Sequence, residues 1–206
     1  MDINILLSFI LASILLAFMP GPDIIYVIIQ SITNSKKHGI ATAIGLGTGV
    51  IIHTALVAFG VSVIIKQSDS LYFILKLFGA LYLFYLAFAA FKAKPVYNLD
   101  SNQVADQKLF KLFKQGFIMN VLNPKVSLFF LAFLPQFLFD KELTITIQII
   151  ILGGLFMLVS ILVFSLVAIL AGNFAKYFRS GKAAVYGKWF KVSVFIALGF
   201  YILFSN

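Results

Sequence analysis

The chain has 206 residues, 62% of them hydrophobic and 11% charged, with a formal net charge of +9 and a mean hydropathy of +1.05. So few charges on so apolar a chain exclude an ordinary soluble domain and predict an all-α, polytopic membrane protein. It has no cysteine, which excludes a disulfide framework, a thiolate metal site and dithiol redox chemistry.

Six spans are predicted, since about 20 apolar residues cross a bilayer. They fall at about 3–30, 40–65, 71–91, 116–139, 143–171 and 186–204. The first follows Met1-Asp2, with no positive charge before it and no small-residue cleavage pattern after it, so it reads as a retained helix and not a signal peptide. The last begins with Lys188 and Lys191, which are expected to snorkel to the interface. A polar stretch divides the single membrane domain (1–206) into a first repeat (about 1–92), a cytoplasmic linker (about 93–115) and a second repeat (about 116–206). Lys108, Lys111 and Lys114, interleaved with Leu109, Phe110, Leu112 and Phe113, form an amphipathic lead-in to span four.

Charge sets the orientation. The odd connectors and their flanks hold Lys36 and Lys37, then Lys92, Lys94, Lys108, Lys111 and Lys114, then Lys176, Arg179, Lys182, Lys188 and Lys191. The even connectors hold only Lys66 and Lys141, with Asp69, Asp140 and Glu142 beside them. By the positive-inside rule the odd connectors are cytoplasmic and both termini lie outside. In such connectors the basic residues read as topology signals and contacts with anionic lipid, and no nucleic-acid partner is expected.

Span one carries Pro20-Gly21-Pro22-Asp23, and Asp23 is the one acidic residue inside a long apolar segment. A carboxylate in hydrocarbon costs roughly 2.5 to 3.5 kcal/mol on insertion scales, so it is expected to face protein or water and to serve a function. Each proline removes a helical donor and crowds the preceding turn, which predicts a helix break just before Asp23. Span four repeats the pattern in Asn123-Pro124-Lys125. Three spans precede the linker and three follow it, so these two sites would belong to inverted three-helix repeats. Asp23 lies 13 residues before Lys36 and Lys125 lies 11 after Lys114. At about 1.5 Å per residue both sit roughly 17 to 20 Å from the basic belt, near the midplane, where an isolated acid and an isolated base are best accommodated as neighbours. The plainer alternative is an ion pair that only fixes helix packing.

These segments carry a resemblance. Pro20-Gly21-Pro22-Asp23, Asn34-Ser35-Lys36-Lys37-His38-Gly39 and Gly116-Phe117-Ile118-Met119-Asn120-Val121-Leu122-Asn123-Pro124-Lys125 are similar to motifs of the LysE/RhtB family of amino-acid exporters, as are Lys76 to Leu83 and Leu131 to Phe137. The resemblance covers most of the chain and is thinner in spans five and six. It implies a carrier of the bacterial inner membrane, with six helices in two inverted halves, exporting amino acids or close derivatives on an ion gradient, and a homodimer. No cofactor or metal is implied.

The residues suit a zwitterion. Lys125 can face a carboxylate and Asp23 an ammonium, and Asp23 can take up a proton when Lys125 turns to substrate, which would couple export to proton entry. His53, in the middle of span two, is a further candidate for proton or substrate contact, against the plainer reading of a histidine bonded to a neighbouring helix. Asn120 and Asn123 can satisfy the broken backbone or read substrate. Ala41, Gly45 and Gly49, four residues apart, form a small-residue packing face, and Gly153-Gly154 offers the same in span five. A channel would show polar or small residues repeated along a helix face, and an intramembrane enzyme would need a nucleophile with a base, or several metal ligands, at one depth.

Overall fold

The computed structural model describes residues 2–61, 69–92, 108–171 and 181–204; the connectors at 62–68, 93–107 and 172–180, with most of the predicted linker, lie outside the described residues. The described residues form helices and no strand: α1 (Ile3–Phe18), α2 (Pro22–Thr33), α3 (Lys36–Leu56), α4 (Asp69–Lys92), α5 (Leu109–Val121), α6 (Pro124–Leu128), α7 (Ile145–Ile169) and α8 (Gly181–Phe204). Two wider, π-type turns, Val57–Val61 and Phe129–Phe133, continue α3 and α6, and a tighter 3-10 turn carries α6 on to Phe137.

Both predicted breaks are present. Gly21 starts α2 with extended backbone and Pro22 as its first residue, so α1 and α2 meet at 61°. Asn123 and Pro124 do the same for α5 and α6, at 49°. In each case the proline sits where a helix has a spare N–H position anyway, so it ends one helix and begins the next. Three unbroken segments, Lys36–Gly60, Ile145–Ile169 and Val185–Phe204, are long and apolar enough to cross a membrane, and the two bent pairs make up to five spans among the described residues. The third predicted span, 71–91, corresponds to α4, of which the apolar part Leu77–Lys92 falls short of that length.

Helix α3 is central, packed against α2, α5 and α7, while α4 pairs with α8. Small residues set these approaches. A Cβ on Gly45 would lie 2.0 Å from the Phe113 carbonyl oxygen, one on Gly49 2.7 Å from Asn120 Cβ, and one on Gly116 2.5 Å from the Thr42 carbonyl oxygen. The packing face read from Gly45 and Gly49 is therefore a backbone-to-backbone contact that no side chain could share. Gly153 likewise meets Thr54, but Gly154 faces open space and packs against nothing.

The order of these contacts fixes direction. Gly45 meets Phe113 and Gly49 meets Phe117 and Asn120, so α3 and α5 run parallel. Lys36 and Lys37 therefore lie at the same end as the exposed Lys108, Lys111 and Lys114. Gly47 meets Ile161 and Thr54 meets Gly153, so α7 runs antiparallel to both. At the far end the Asp2 N–H donates to the Phe139 carbonyl (2.9 Å), joining the N-terminus to the α6–α7 turn. Buried Gln148 holds that turn: its Oε1 accepts from the Phe139 and Asp140 amides and its Nε2 donates to the Asp140 and Leu143 carbonyls. There the Glu142 N–H, 2.8 Å away, holds the Asp140 carboxyl below the usual carboxylate range. In the first turn of α5, Phe110 is 75% exposed and stacked on Phe113.

Candidate functional site

The two breaks meet. Asp23 is the second residue of α2 and Lys125 the second of α6, and Lys125 Nζ stands 3.6 Å from Asp23 Oδ2. Asn123 closes the arrangement from the break itself: its Nδ2 donates to Asp23 Oδ2 (2.5 Å) while its Oδ1 accepts from the Lys125 backbone N–H (3.0 Å). One amide therefore caps α6 and reads the acid of the other half of the chain. Asp23 is only 3% exposed, Asn123 is buried, and the Lys125 side chain keeps 14%.

Position within the helices matters to the electrostatics. A carboxylate in the first turn of α2 is favoured by the helix dipole, whereas an ammonium in the first turn of a helix is opposed by it. Asp23 is the charge that offsets this for Lys125. Gly21 is buried beside the pair, and a Cβ there would stand 3.6 Å from Lys125 Nζ, an ordinary contact distance.

The pair lies at the seam between two apolar clusters. On one side Met19, Leu16, Phe9, Val126, Phe129, Phe130, Phe133 and Phe137 belong to the larger; on the other Ile24, Val27, Ile28, Leu46, Phe164 and Val167 belong to the smaller. Three polar groups in apolar surroundings are satisfied chiefly by one another, which makes their contacts specific and costly to break.

The remaining predicted residues stand around this core. His53 Nε2 is bonded to the Asn120 backbone carbonyl (3.1 Å), and its ring lies 5.8 Å from that of Phe130. The same carbonyl accepts from the Asn123 N–H (2.9 Å), so His53 braces the start of the break, and no described contact joins it to Asp23 or Lys125. The Asn120 side chain packs on Gly49, with its Oδ1 buried and without a hydrogen-bond partner. Pro20 packs on α8, where a Cβ on Gly187 would stand 3.3 Å from its Cγ.

Lys191 is half-buried on the face of α8 that also carries Val194, Phe195 and Leu198, one turn beyond Gly187. Helix α8 begins at Gly181, so Lys191 lies well inside it and its side chain follows the packed face. The spacing Gly187, Lys191, Val194, Phe195, Leu198 puts the lysine stem on the apolar stripe. Lys188, by contrast, lies over the Phe91 ring, 5.3 Å from its centroid.

The family model for the LysE type translocator matches residues 14–206, nearly the whole chain. The chain belongs to the LysE family. It is 31% identical over 204 residues to the uncharacterized membrane protein YrhP of Bacillus subtilis, covering 95% of both chains. It is also 31% identical over 175 residues to a homoserine/homoserine lactone efflux protein of Salmonella typhimurium, covering 85% of this chain and 84% of that one. An uncharacterized membrane protein of Vibrio cholerae is 26% identical over 181 residues, with 87% of each covered. No solved structure matches the chain. This LysE-family chain is thus a multi-pass membrane transporter of a small molecule and not an enzyme.

Proposed function

We propose that the protein exports amino acids or close derivatives such as homoserine from the cytoplasm, binding them at Asp23, Lys125 and Asn123. The observation that carries this reading is the buried ion pair formed between two helix breaks from different halves of the chain. Half-helices with free ends at one point are how secondary carriers present charge to a zwitterion. Substrate carboxylate takes the place of Asp23 beside Lys125, and substrate ammonium faces Asp23. The name of the Salmonella relative supports the substrate class.

In this reading the six-span inverted repeat holds. It is supported by the pairing of α3 with α7 and of α4 with α8, the second and third helices of each half across the junction. An outward N-terminus and inward basic end are supported by the shared end of Lys36, Lys37, Lys108, Lys111 and Lys114, opposite the Asp2–Phe139 contact. For a bacterial chain this is the inner membrane. Protons are the coupling ion: Asp23, freed from Lys125 by substrate, binds one on the outer side and releases it inside. His53 and Asn120 brace the break in span four, and Gly45 and Gly49 set the helix contact behind it.

Counterflow in proteoliposomes tests this. Labelled homoserine should accumulate against unlabelled homoserine, an imposed pH gradient should drive net movement, and Asp23→Asn should remove that drive. Full proton-driven transport by Asp23→Asn would dispose of the coupling role, and absence of counterflow with any amino acid would dispose of the function.

A further inference from the structure

Beyond the Asp23–Lys125 pair, on the side away from the basic end, the two wide turns meet. Val57–Val61 ends α3, Phe129–Phe133 begins one helical turn after Lys125, and the two are in contact. Val57, Phe130 and Phe133 are buried in one apolar cluster there, so carbon covers the pair on that side. This cover is loosely backed. A cavity of about 110 Å³ remains between the turns, walled by Leu56 and Val57 on one side and by Ser127, Phe130 and Leu131 on the other. Behind Val57–Val61, a groove of about 250 Å³ separates Ala55, Ala58 and Phe59 from Gly153, Gly154 and Met157 of α7. A close-packed interior leaves few voids wider than a water molecule, and here one turn has a void on each face. Its winding suits movement, because a π-type turn closes its hydrogen bonds one residue further along than an α-helix does, and tightening it rotates and draws in whatever lies beyond. Nothing stands within 4 Å of a Cβ built on Gly60, inside the turn, or on Gly154, across the groove. Glycine is disfavoured inside a helix relative to alanine, and no contact in this arrangement requires it at Gly154.

We propose that the two wide turns are the outer gate of the carrier. Val57–Val61 leaves Phe130 and Leu131, tightens towards α winding and seats in the groove against Gly153 and Gly154, which uncovers the pair on the outer side. The missing side chain of Gly154 is what gives the end of α3 room to arrive. The motion starts beyond His53, since Gly45 and Gly49 hold the earlier part of α3 against the backbone of α5. The inference rests on the export reading and deepens it by naming the element that moves when substrate leaves.

Two variants test this in proteoliposome counterflow with homoserine. Val57→Cys combined with Leu131→Cys puts thiols on facing walls of the cavity, in a chain with no other cysteine, where a short bis-thiosulfonate should bridge them. Bridging should lower counterflow at least about tenfold, and reduction should restore it. Protection of the bridged protein against heat by homoserine should persist, because binding from the basic side needs no movement of this gate. Gly154→Leu fills the groove and should also lower counterflow at least about tenfold, with a melting temperature no lower than that of wild type. A pair that cannot be bridged, or a bridged protein that transports as before, overturns the proposal, and so does wild-type counterflow in Gly154→Leu. If Gly154→Leu fails to assemble, the bridged pair decides alone. Unimpeded transport by the altered proteins sinks the gate and leaves the export reading standing, whereas a wild type that shows no counterflow with any amino acid sinks both.

Discussion

Neutralising Asp23 and Lys125 singly and together separates a transport site from a packing staple. Asp23→Asn keeps the shape of the side chain and an acceptor for Asn123 Nδ2, so what it removes is the charge. Lys125 is then left in apolar surroundings at the start of a helix, with no described charge to offset it. Breaking a buried pair from one side costs about 3 to 5 kcal/mol. The opposing helix dipole places this case in the upper part of that range. At about 2 to 4 °C per kcal/mol for a chain of this size, the melting temperature in detergent should fall by roughly 8 to 20 °C. Lys125→Met should cost a similar amount, because it strands Asp23. The double variant has no unpaired charge, and replacing both members of a buried pair is often neutral, so its melting temperature should return to within a few degrees of wild type. Counterflow should not return: losing charge-assisted contacts to both ends of a zwitterion lowers transport at least about a hundredfold. A double variant that is stable and transports like wild type would refute the reasoning and leave the pair as a packing device.

Other expectations follow from the packing. Gly45→Ala, whose Cβ would meet a backbone oxygen at 2.0 Å, should destabilise the α3–α5 contact by about 1 to 3 kcal/mol, while Gly154→Ala, in open space, should be neutral or stabilising by up to about 1 kcal/mol; thermal melts decide both. Gln148→Leu strips two donors and two acceptors of their partner in the α6–α7 turn, and at about 1 to 3 kcal/mol for each group left unsatisfied it should open that turn to proteolysis near Lys141 faster than in wild type. Because the chain has no cysteine, single substitutions Lys141→Cys and Lys37→Cys report topology directly: an impermeant maleimide added outside cells should label the first and not the second.

The sequence made the centre of this site readable for a definite reason. A carboxylate and an ammonium inside apolar segments, each just after a proline, cannot be ignored by a bilayer, and their equal distance from the basic belt pointed to each other; the structure sets them 3.6 Å apart. Gly45 and Gly49 were readable because four-residue spacing of small side chains has one main use in a membrane helix. Gly154 shows the limit of that rule, since adjacency to Gly153 turns it to a different face. The double role of Asn123 could not be read, because an amide beside a proline serves equally as a cap or as a contact. The wide turns at Val57–Val61 and Phe129–Phe133 lie in uniformly apolar runs that carry no local signal of winding.

The most direct test of the central claim, that substrate sits between Asp23 and Lys125, uses Gly21→Cys in this cysteine-free chain. A thiol there would face Lys125 Nζ across an ordinary contact distance, with the Cβ 3.6 Å away. Alkylation of that thiol by a small reagent in purified protein should be slowed several-fold by homoserine or another transported amino acid, and not by a sugar of similar size. An alkylation rate unchanged by saturating substrate, in a variant that still shows counterflow, would contradict the account.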